Sequence, residues 1–120
     1  MASFKQLLGF VVLSLSAALS HAGDSLNLEA YKGKVVYIDF WASWCGPCKE
    51  SFPWMKKTQQ QYAKDGLVIL AVNVDQDKKL ADQFLSEFNP DFKVIFDKNG
   101  KLAEDFKVNS MPSSYVIDRQ

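Results

Sequence analysis

The chain's two cysteines lie three positions apart, in the run Cys45-Gly46-Pro47-Cys48. A pair at this spacing can be a redox dithiol, half of a metal site or a structural disulfide. A cross-link that closes so short a loop stabilises a fold least, and the chain has no second cysteine pair to complete a zinc site. The spacing favours thiol–disulfide exchange. We therefore predict a redox-active Cys45–Cys48 disulfide, and we expect neither a metal nor a cofactor.

The two thiols are expected to have different roles. Pro47 can stand in the first turn of a helix without the loss of a hydrogen bond, which places Cys45 at or near the N-cap. Free backbone N–H groups and the positive end of the helix dipole then stabilise the Cys45 thiolate. Cys45 is therefore the predicted nucleophile, and Cys48, one turn later, is the predicted resolving cysteine.

Asp39 is the candidate proton acceptor. It stands six residues before Cys45, on a segment that otherwise has the composition of a buried strand. A buried carboxyl group has a raised pKa and could take the proton that Cys48 must lose, directly or through water. The alternative is an aspartate on a partly wet strand face, or one bonded to nearby backbone.

The chain's three tryptophans cluster around the same motif. Trp41 is expected to pack under the following helix, Trp44 to form part of an exposed apolar rim that receives the substrate, and Trp54 to lie in the core. Phe52 suits either the core or the rim. Pro53 stands inside the predicted helix and should kink it.

The remaining pattern alternates between strands and helices. Runs rich in β-branched and aromatic residues predict strands at 35–40, 67–74, 93–96 and 114–118, and spaced apolar residues predict helices at about 47–64 and at 78–88. The segment before residue 35 is a polar lead, and the segment through Phe106 and Val108 is predicted to be a loop. This order indicates an α/β fold, with a central mixed sheet flanked by helices.

The N-terminal segment has the pattern of a secretory signal peptide. Lys5 precedes an apolar run at 7–19, and small residues flank His21 in Ser20-His21-Ala22. An uncleaved membrane anchor is the alternative, but that run is about 13 residues and a spanning helix needs about 20. We therefore expect residues 1–22 to be removed after Ala22, which leaves one domain at 23–120 and no stable membrane insertion.

Two further classes of function are excluded by composition. His21 is the chain's one histidine, so its removal with the signal peptide excludes catalysis by a cysteine–histidine or serine–histidine pair. Fourteen basic residues balance fourteen acidic ones, which gives no electrostatic footprint for nucleic acid or for an anionic membrane.

The motif resembles that of a known family. "DFWASWCGPCK" is similar to the active-site signature of thioredoxins, and the signal peptide together with "ESFPWM", "VNVDQD" and "VNSMPSSYVIDRQ" resembles the periplasmic TlpA/ResA-like thiol-disulfide oxidoreductases. The likeness covers residues 26–120, nearly all of the expected mature chain. It implies a thioredoxin fold.

The resemblance also assigns roles to individual residues. It makes Cys45 the attacking cysteine, Cys48 the resolving one and Asp39 the buried acid. It makes Pro112 a cis-proline that lies against the disulfide, while Met111 offers backbone groups to an extended substrate segment. With the rim, this gives an expected substrate-binding set of Trp44, Gly46, Pro47, Met111 and Pro112.

The chain departs from the family pattern at three points. Many TlpA/ResA-like members have asparagine at the position of Asp39, and Ser51 replaces a glutamate often found two residues before the helix proline. The last strand and C-terminal helix of the fold have no counterpart before Gln120, so the domain is expected to be C-terminally incomplete.

The expected function is a periplasmic thiol-disulfide oxidoreductase that mainly reduces protein disulfides. Its expected partners are disulfide-bearing proteins and an upstream thiol reductant in the membrane, and it should act as a monomer. The alternatives are a disulfide-forming oxidase and a non-catalytic thioredoxin-like module for binding or metal delivery.

Overall fold

A four-stranded sheet carries the fold. The computed structural model describes residues 26–119. Its strands are β1 (Val35–Trp41), β2 (Leu67–Asn73), β3 (Lys93–Phe96) and β4 (Ser113–Ile117), its α-helices are α1 (Gly46–Tyr62), α2 (Lys78–Phe88) and α3 (Lys101–Asp105), and short 3-10 turns occur at Leu28–Tyr31 and Ala63–Asp65. The predicted signal peptide lies outside the described residues. Within residues 26–119, no helix is both long and apolar enough to cross a membrane.

The strand order is β3-β2-β1-β4. β1 pairs with β2 in parallel and with β4 antiparallel, and β2 pairs with β3 in parallel. The predicted mixed sheet is therefore confirmed. Since β1 and β2 are parallel neighbours, their carboxyl ends meet at one edge of the sheet, and the segment with both cysteines begins there.

The side chains of β1 alternate between two apolar clusters. Val36, Ile38 and Phe40 pack with Leu102 of α3 and with the Leu28–Tyr31 turn. Trp41 packs on the opposite side with α1 and α2, and Tyr37 packs against the same cluster. We call this second side the α1 face. Strand alternation also places Asp39 on the α1 face, between Tyr37 and Trp41.

α1 presents a narrow apolar stripe to the sheet. Cys48, Phe52 and Met55 are its buried residues, at the spacing that puts side chains on one side of a helix. The helix continues through Pro53. Near its end, Gln59 accepts a hydrogen bond from the backbone N–H of Ile69 and donates one to the carbonyl of Leu67. The Gln59 side chain thereby provides hydrogen-bond partners for backbone groups of β2 that lie before the segment paired with β3.

The prediction of a loop around Phe106 was wrong in part, because α3 lies just before it. The Asp97 carboxylate accepts backbone hydrogen bonds from Leu102 and Ala103 at 3.1 and 2.9 Å, so it caps the start of this helix from outside. Gly100 precedes the helix with φ +70°, a conformation that favours glycine. Five residues are too few to show helical periodicity, so no pattern indicated α3.

Candidate active site

The strand-to-helix junction places Cys45 at the N-cap of α1, as predicted. Pro47 lies in the first turn, and the backbone N–H of Cys48 donates to Cys45 Sγ at 3.3 Å. Cys45 and Cys48 form a disulfide with their Cα atoms 5.3 Å apart. Both residues are buried, Cys48 completely. The sulfur that faces the helix N-terminus is thus that of Cys45, where a developing thiolate receives the most help from backbone N–H groups.

The residues around the disulfide form an open rim. The Trp44 side chain is 68 % exposed, and Gly46 and Pro47 are exposed beside it. The Met111–Pro112 peptide bond is cis, as the family resemblance implied. Met111 packs against the apolar cluster that contains both cysteines.

A buried carboxylate holds the loop that leads to Cys45. Asp75 accepts hydrogen bonds from the backbone N–H and the hydroxyl group of Ser43, at 2.9 and 2.8 Å, and from the Asn73 amide at 2.7 Å. Val74 adds a backbone bond to the Trp41 carbonyl at 2.9 Å. Sequence reasoning missed this network. The sequence feature that could have indicated this network is the polar run directly after β2. Because β2 is parallel to β1 and next to it, this run lies beside the loop that follows β1.

Asp39 is buried, with 2 % of its surface exposed. Burial raises the pKa of Asp39 to about 6, against the opposing effect of a hydrogen bond from Ser114. Ser114 Oγ donates to Asp39 Oδ1 at 3.1 Å, and Tyr37 donates its phenol proton to Ser114 Oγ at 2.9 Å. Asp39 Oδ2 is buried and has no hydrogen-bond partner among residues 26–119. Sequence reasoning found Asp39 but not its two hydroxyl partners.

Comparison with known proteins agrees with this geometry. The Redoxin family model matches residues 9–120. The chain belongs to the redoxin family.

Two relatives of this redoxin-family chain are named thiol-disulfide oxidoreductase ResA. It is 38 % identical to the thiol-disulfide oxidoreductase ResA of Oceanobacillus iheyensis, over 78 % of the chain and 49 % of the relative. It is 31 % identical to ResA of Bacillus subtilis, over 80 % of the chain and 54 % of the relative. The chain therefore spans about half the length of these two relatives.

Solved structures show the same fold. A candidate thiol:disulfide interchange protein DsbE from Chlorobium tepidum is 40 % identical, with a TM-score of 0.75 over 81 % of this chain and 77 % of that one. The thioredoxin domain of a thiol-disulfide oxidoreductase from Bacteroides vulgatus has a TM-score of 0.72 over 80 % and 71 % of the two chains, at 23 % identity, and shows the fold alone. The predicted thioredoxin fold is confirmed.

The aromatic residues of this redoxin-family site separate into core and surface. The ring centroids of Trp41, Phe52 and Phe84 lie 4.7 to 4.8 Å from one another. Trp41 therefore packs under α1, as predicted, and Phe52 lies in the core and not in the rim. The prediction that Trp54 lies in the core was wrong, because its side chain is 53 % exposed. Trp54 stands about 200° around the helix from Phe52, outside the buried stripe. Its ring packs against that of Tyr37 in a T-shaped arrangement, with the two ring centroids 5.9 Å apart.

Proposed function

We propose that this redoxin-family protein is a thiol-disulfide oxidoreductase that reduces protein disulfides through the Cys45–Cys48 dithiol. The observation that carries the proposal is the position of Cys45, at the helix N-cap inside an open apolar rim, with Cys48 one turn behind it. The names of its ResA relatives support the same activity.

The proposed reaction has two exchange steps. The Cys45 thiolate attacks one sulfur of a substrate disulfide, so that a mixed disulfide forms and the other substrate sulfur leaves as a thiolate and takes a proton from water. The Cys48 thiol then gives its proton to Asp39, and the Cys48 thiolate attacks Cys45 Sγ. The second substrate thiolate leaves, and two electron equivalents have then passed from the dithiol to the substrate. A thiol donor must reduce the resulting Cys45–Cys48 disulfide before the next cycle.

The cis segment and the rim are proposed to bind the substrate. Trp44, Gly46, Pro47 and Pro112 are exposed and Met111 is half-buried, and we propose that the first three bind one side of the substrate and the Met111–Pro112 segment binds the other. An extended polypeptide between them could bond to the backbone of Met111 in the manner of an added strand. The apolar surface of Trp44 suits side chains next to a substrate disulfide.

We further propose that the protein works in the periplasm as a monomer and is re-reduced by a thiol donor in the membrane. This proposal rests on the signal-peptide pattern of residues 1–22 and on the domain at 23–120 that would remain. Disulfides form and persist in oxidising compartments such as the periplasm, so protein substrates there would carry the bonds that this dithiol reduces.

Insulin reduction by dithiothreitol tests the activity, with protein purified from the periplasm. The wild-type protein should accelerate it, Cys45→Ser should abolish the acceleration, and Cys48→Ser should accumulate a mixed disulfide on Cys45. A reduction potential near that of thioredoxin, about −270 mV, would support a reductant, whereas one near about −120 mV would indicate an oxidase. Acceleration that survives Cys45→Ser would contradict the enzymatic proposal. The mass of the purified protein should equal that of a chain that begins at Gly23. Any other mass would contradict export with cleavage after Ala22.

A further inference from the structure

The two oxygens of the Asp39 carboxylate have different surroundings. Oδ1 accepts the hydrogen bond from Ser114 Oγ at 3.1 Å. Oδ2 is fully enclosed and has no partner among the described residues. A buried carboxylate oxygen without a donor is costly to maintain, so its retention at a redox site indicates a use. The free acceptor is the oxygen that can take a proton.

The Ser114 hydroxyl group, which donates to Asp39, also accepts a hydrogen bond from Tyr37. β4 pairs Ser114 directly with Asp39 of β1, and Tyr37 precedes Asp39 by two residues on the same face of that strand. The Tyr37 phenol donates to Ser114 Oγ at 2.9 Å. A hydroxyl group has one proton and two lone pairs, so Ser114 can accept from Tyr37 while it donates its proton to Asp39. The edge contact of the Tyr37 ring with Trp54 limits the positions of the phenol.

Few other groups around Asp39 can titrate. Tyr37 shares the α1 face of β1 with Asp39, and β2 places Ala71 opposite Asp39. The N-cap and first turn of α1 contribute the Cys45–Cys48 disulfide to the neighbouring cluster. The charged side chains of α1 lie off its buried stripe: Lys49, Glu50, Lys56 and Lys57. Burial and the Ser114 hydrogen bond are the causes of the raised pKa of Asp39, and no charged side chain is among them.

We propose that Ser114, oriented by Tyr37, is a positioning residue for proton transfer from Cys48 to Asp39. It holds Oδ1 and leaves Oδ2 as the atom that receives the proton. The inference rests on the proposed function, in which Asp39 takes the Cys48 proton during the second exchange step. In that step the Cys48 S–H bond breaks, an O–H bond forms at Oδ2, and the S–H electron pair stays on Cys48 for attack on Cys45.

The test uses dithionitrobenzoate, a disulfide whose two thiolate halves are coloured. Reduced protein should release one half as the mixed disulfide forms and the second as Cys48 resolves it, so the two steps are followed separately over a range of pH. The variants are Ser114→Ala, Ser114→Thr, Tyr37→Phe and Asp39→Asn. Ser113→Ala is the matched control, because the Ser113 hydroxyl bonds to the Ser110 carbonyl instead.

In Ser114→Ala, the pH midpoint of the second release should rise by about one unit, because a hydrogen bond to the carboxylate is lost. Well below the midpoint the second release should slow about tenfold, while the first release is unchanged. Ser114→Thr and Ser113→Ala should keep the wild-type midpoint, and Tyr37→Phe should shift it upward by less than Ser114→Ala does. Carbon NMR titration of the Asp39 carboxyl group in oxidised Ser114→Ala should show the same upward shift without any turnover.

The outcomes separate this inference from the function on which it rests. If Asp39→Asn slows the second release but Ser114→Ala leaves its midpoint at the wild-type pH, the role of Ser114 is overturned and the role of Asp39 stands. If Asp39→Asn leaves the second release unchanged, the proton-acceptor role falls, and the inference falls with it. An upward shift in Ser114→Thr equal to that in Ser114→Ala would also overturn the inference, since threonine retains the hydroxyl group.

Discussion

At the scale of single residues, the site combines a buried sulfur pair with an exposed aromatic side chain. Cys45 and Cys48 are nearly or fully enclosed, whereas Trp44, the residue before Cys45, is 68 % exposed. Exposure of a large apolar side chain has no benefit for folding, and tryptophan is enriched where proteins bind one another. Trp44 therefore lies outside the core, and its proposed role is substrate recognition.

Trp44→Ala should lower kcat/KM for insulin reduction about tenfold, because the apolar contact with the polypeptide is lost. The first release from dithionitrobenzoate should change much less, since this small probe needs no rim. The matched control is Tyr62→Ala, which removes another exposed aromatic side chain (45 % exposed) at the far end of α1. If Trp44→Ala and Tyr62→Ala have the same insulin kinetics, Trp44 has no special part in binding.

At the scale of elements, the junction between β1 and α1 depends on the strand beside it. The loop that carries Ser43 and Trp44 is held by Asp75, which follows β2. The Asp75 carboxylate accepts two hydrogen bonds from Ser43 of this loop and a third from Asn73 at the end of β2. A carboxylate accepts without donating, so it can satisfy several donors at a buried point. The orientation of Cys45 at the helix N-cap therefore depends on a residue thirty positions away in the sequence.

Asp75→Asn should reduce the free energy of unfolding by about 1–3 kcal/mol, because an amide nitrogen would face a buried donor. Urea denaturation of the oxidised protein measures this change. Asp82→Asn is the control: its carboxylate pairs with Lys78 on the exposed surface of α2, and exposed pairs contribute about 0–1 kcal/mol. Equal midpoints for the two variants would show that the Asp75 network does not hold the junction.

Local pattern was enough to predict most elements. α2 and β3 have the predicted bounds, and α1 begins where Pro47 and Cys45 indicated. Trp54 was misassigned although its position around α1, two residues after Phe52, is set locally, and α3 was missed because it is only five residues long. The bonds of Asp39 with Ser114 and of Ser114 with Tyr37 were not predictable, because they come from the pairing of β1 with β4, which are far apart in the sequence.

At the scale of the whole molecule, Asp39 links the active site to global stability. The pKa of this carboxyl group is about 6 in the folded protein, against an ordinary value of 3.8. Between these two values the folded state binds more protons than the unfolded state does. The free energy of unfolding must therefore fall as the pH rises from about 4 to about 6, and the loss is complete above that range.

Asp39→Asn should remove this loss, because an amide has no charged form to desolvate while its carbonyl oxygen can still accept from Ser114. Near pH 7.5 the variant should be more stable than the wild type by up to about 3 kcal/mol, and near pH 4 the two should be about equal. Guanidinium denaturation of the oxidised proteins at both pH values measures the difference. A stability gain that is the same at the two pH values would arise from packing and not from the titration of Asp39. A gain confined to the higher pH, together with a slowed second exchange step, would show that the carboxylate is kept at the expense of stability because Cys48 needs an acceptor for its proton.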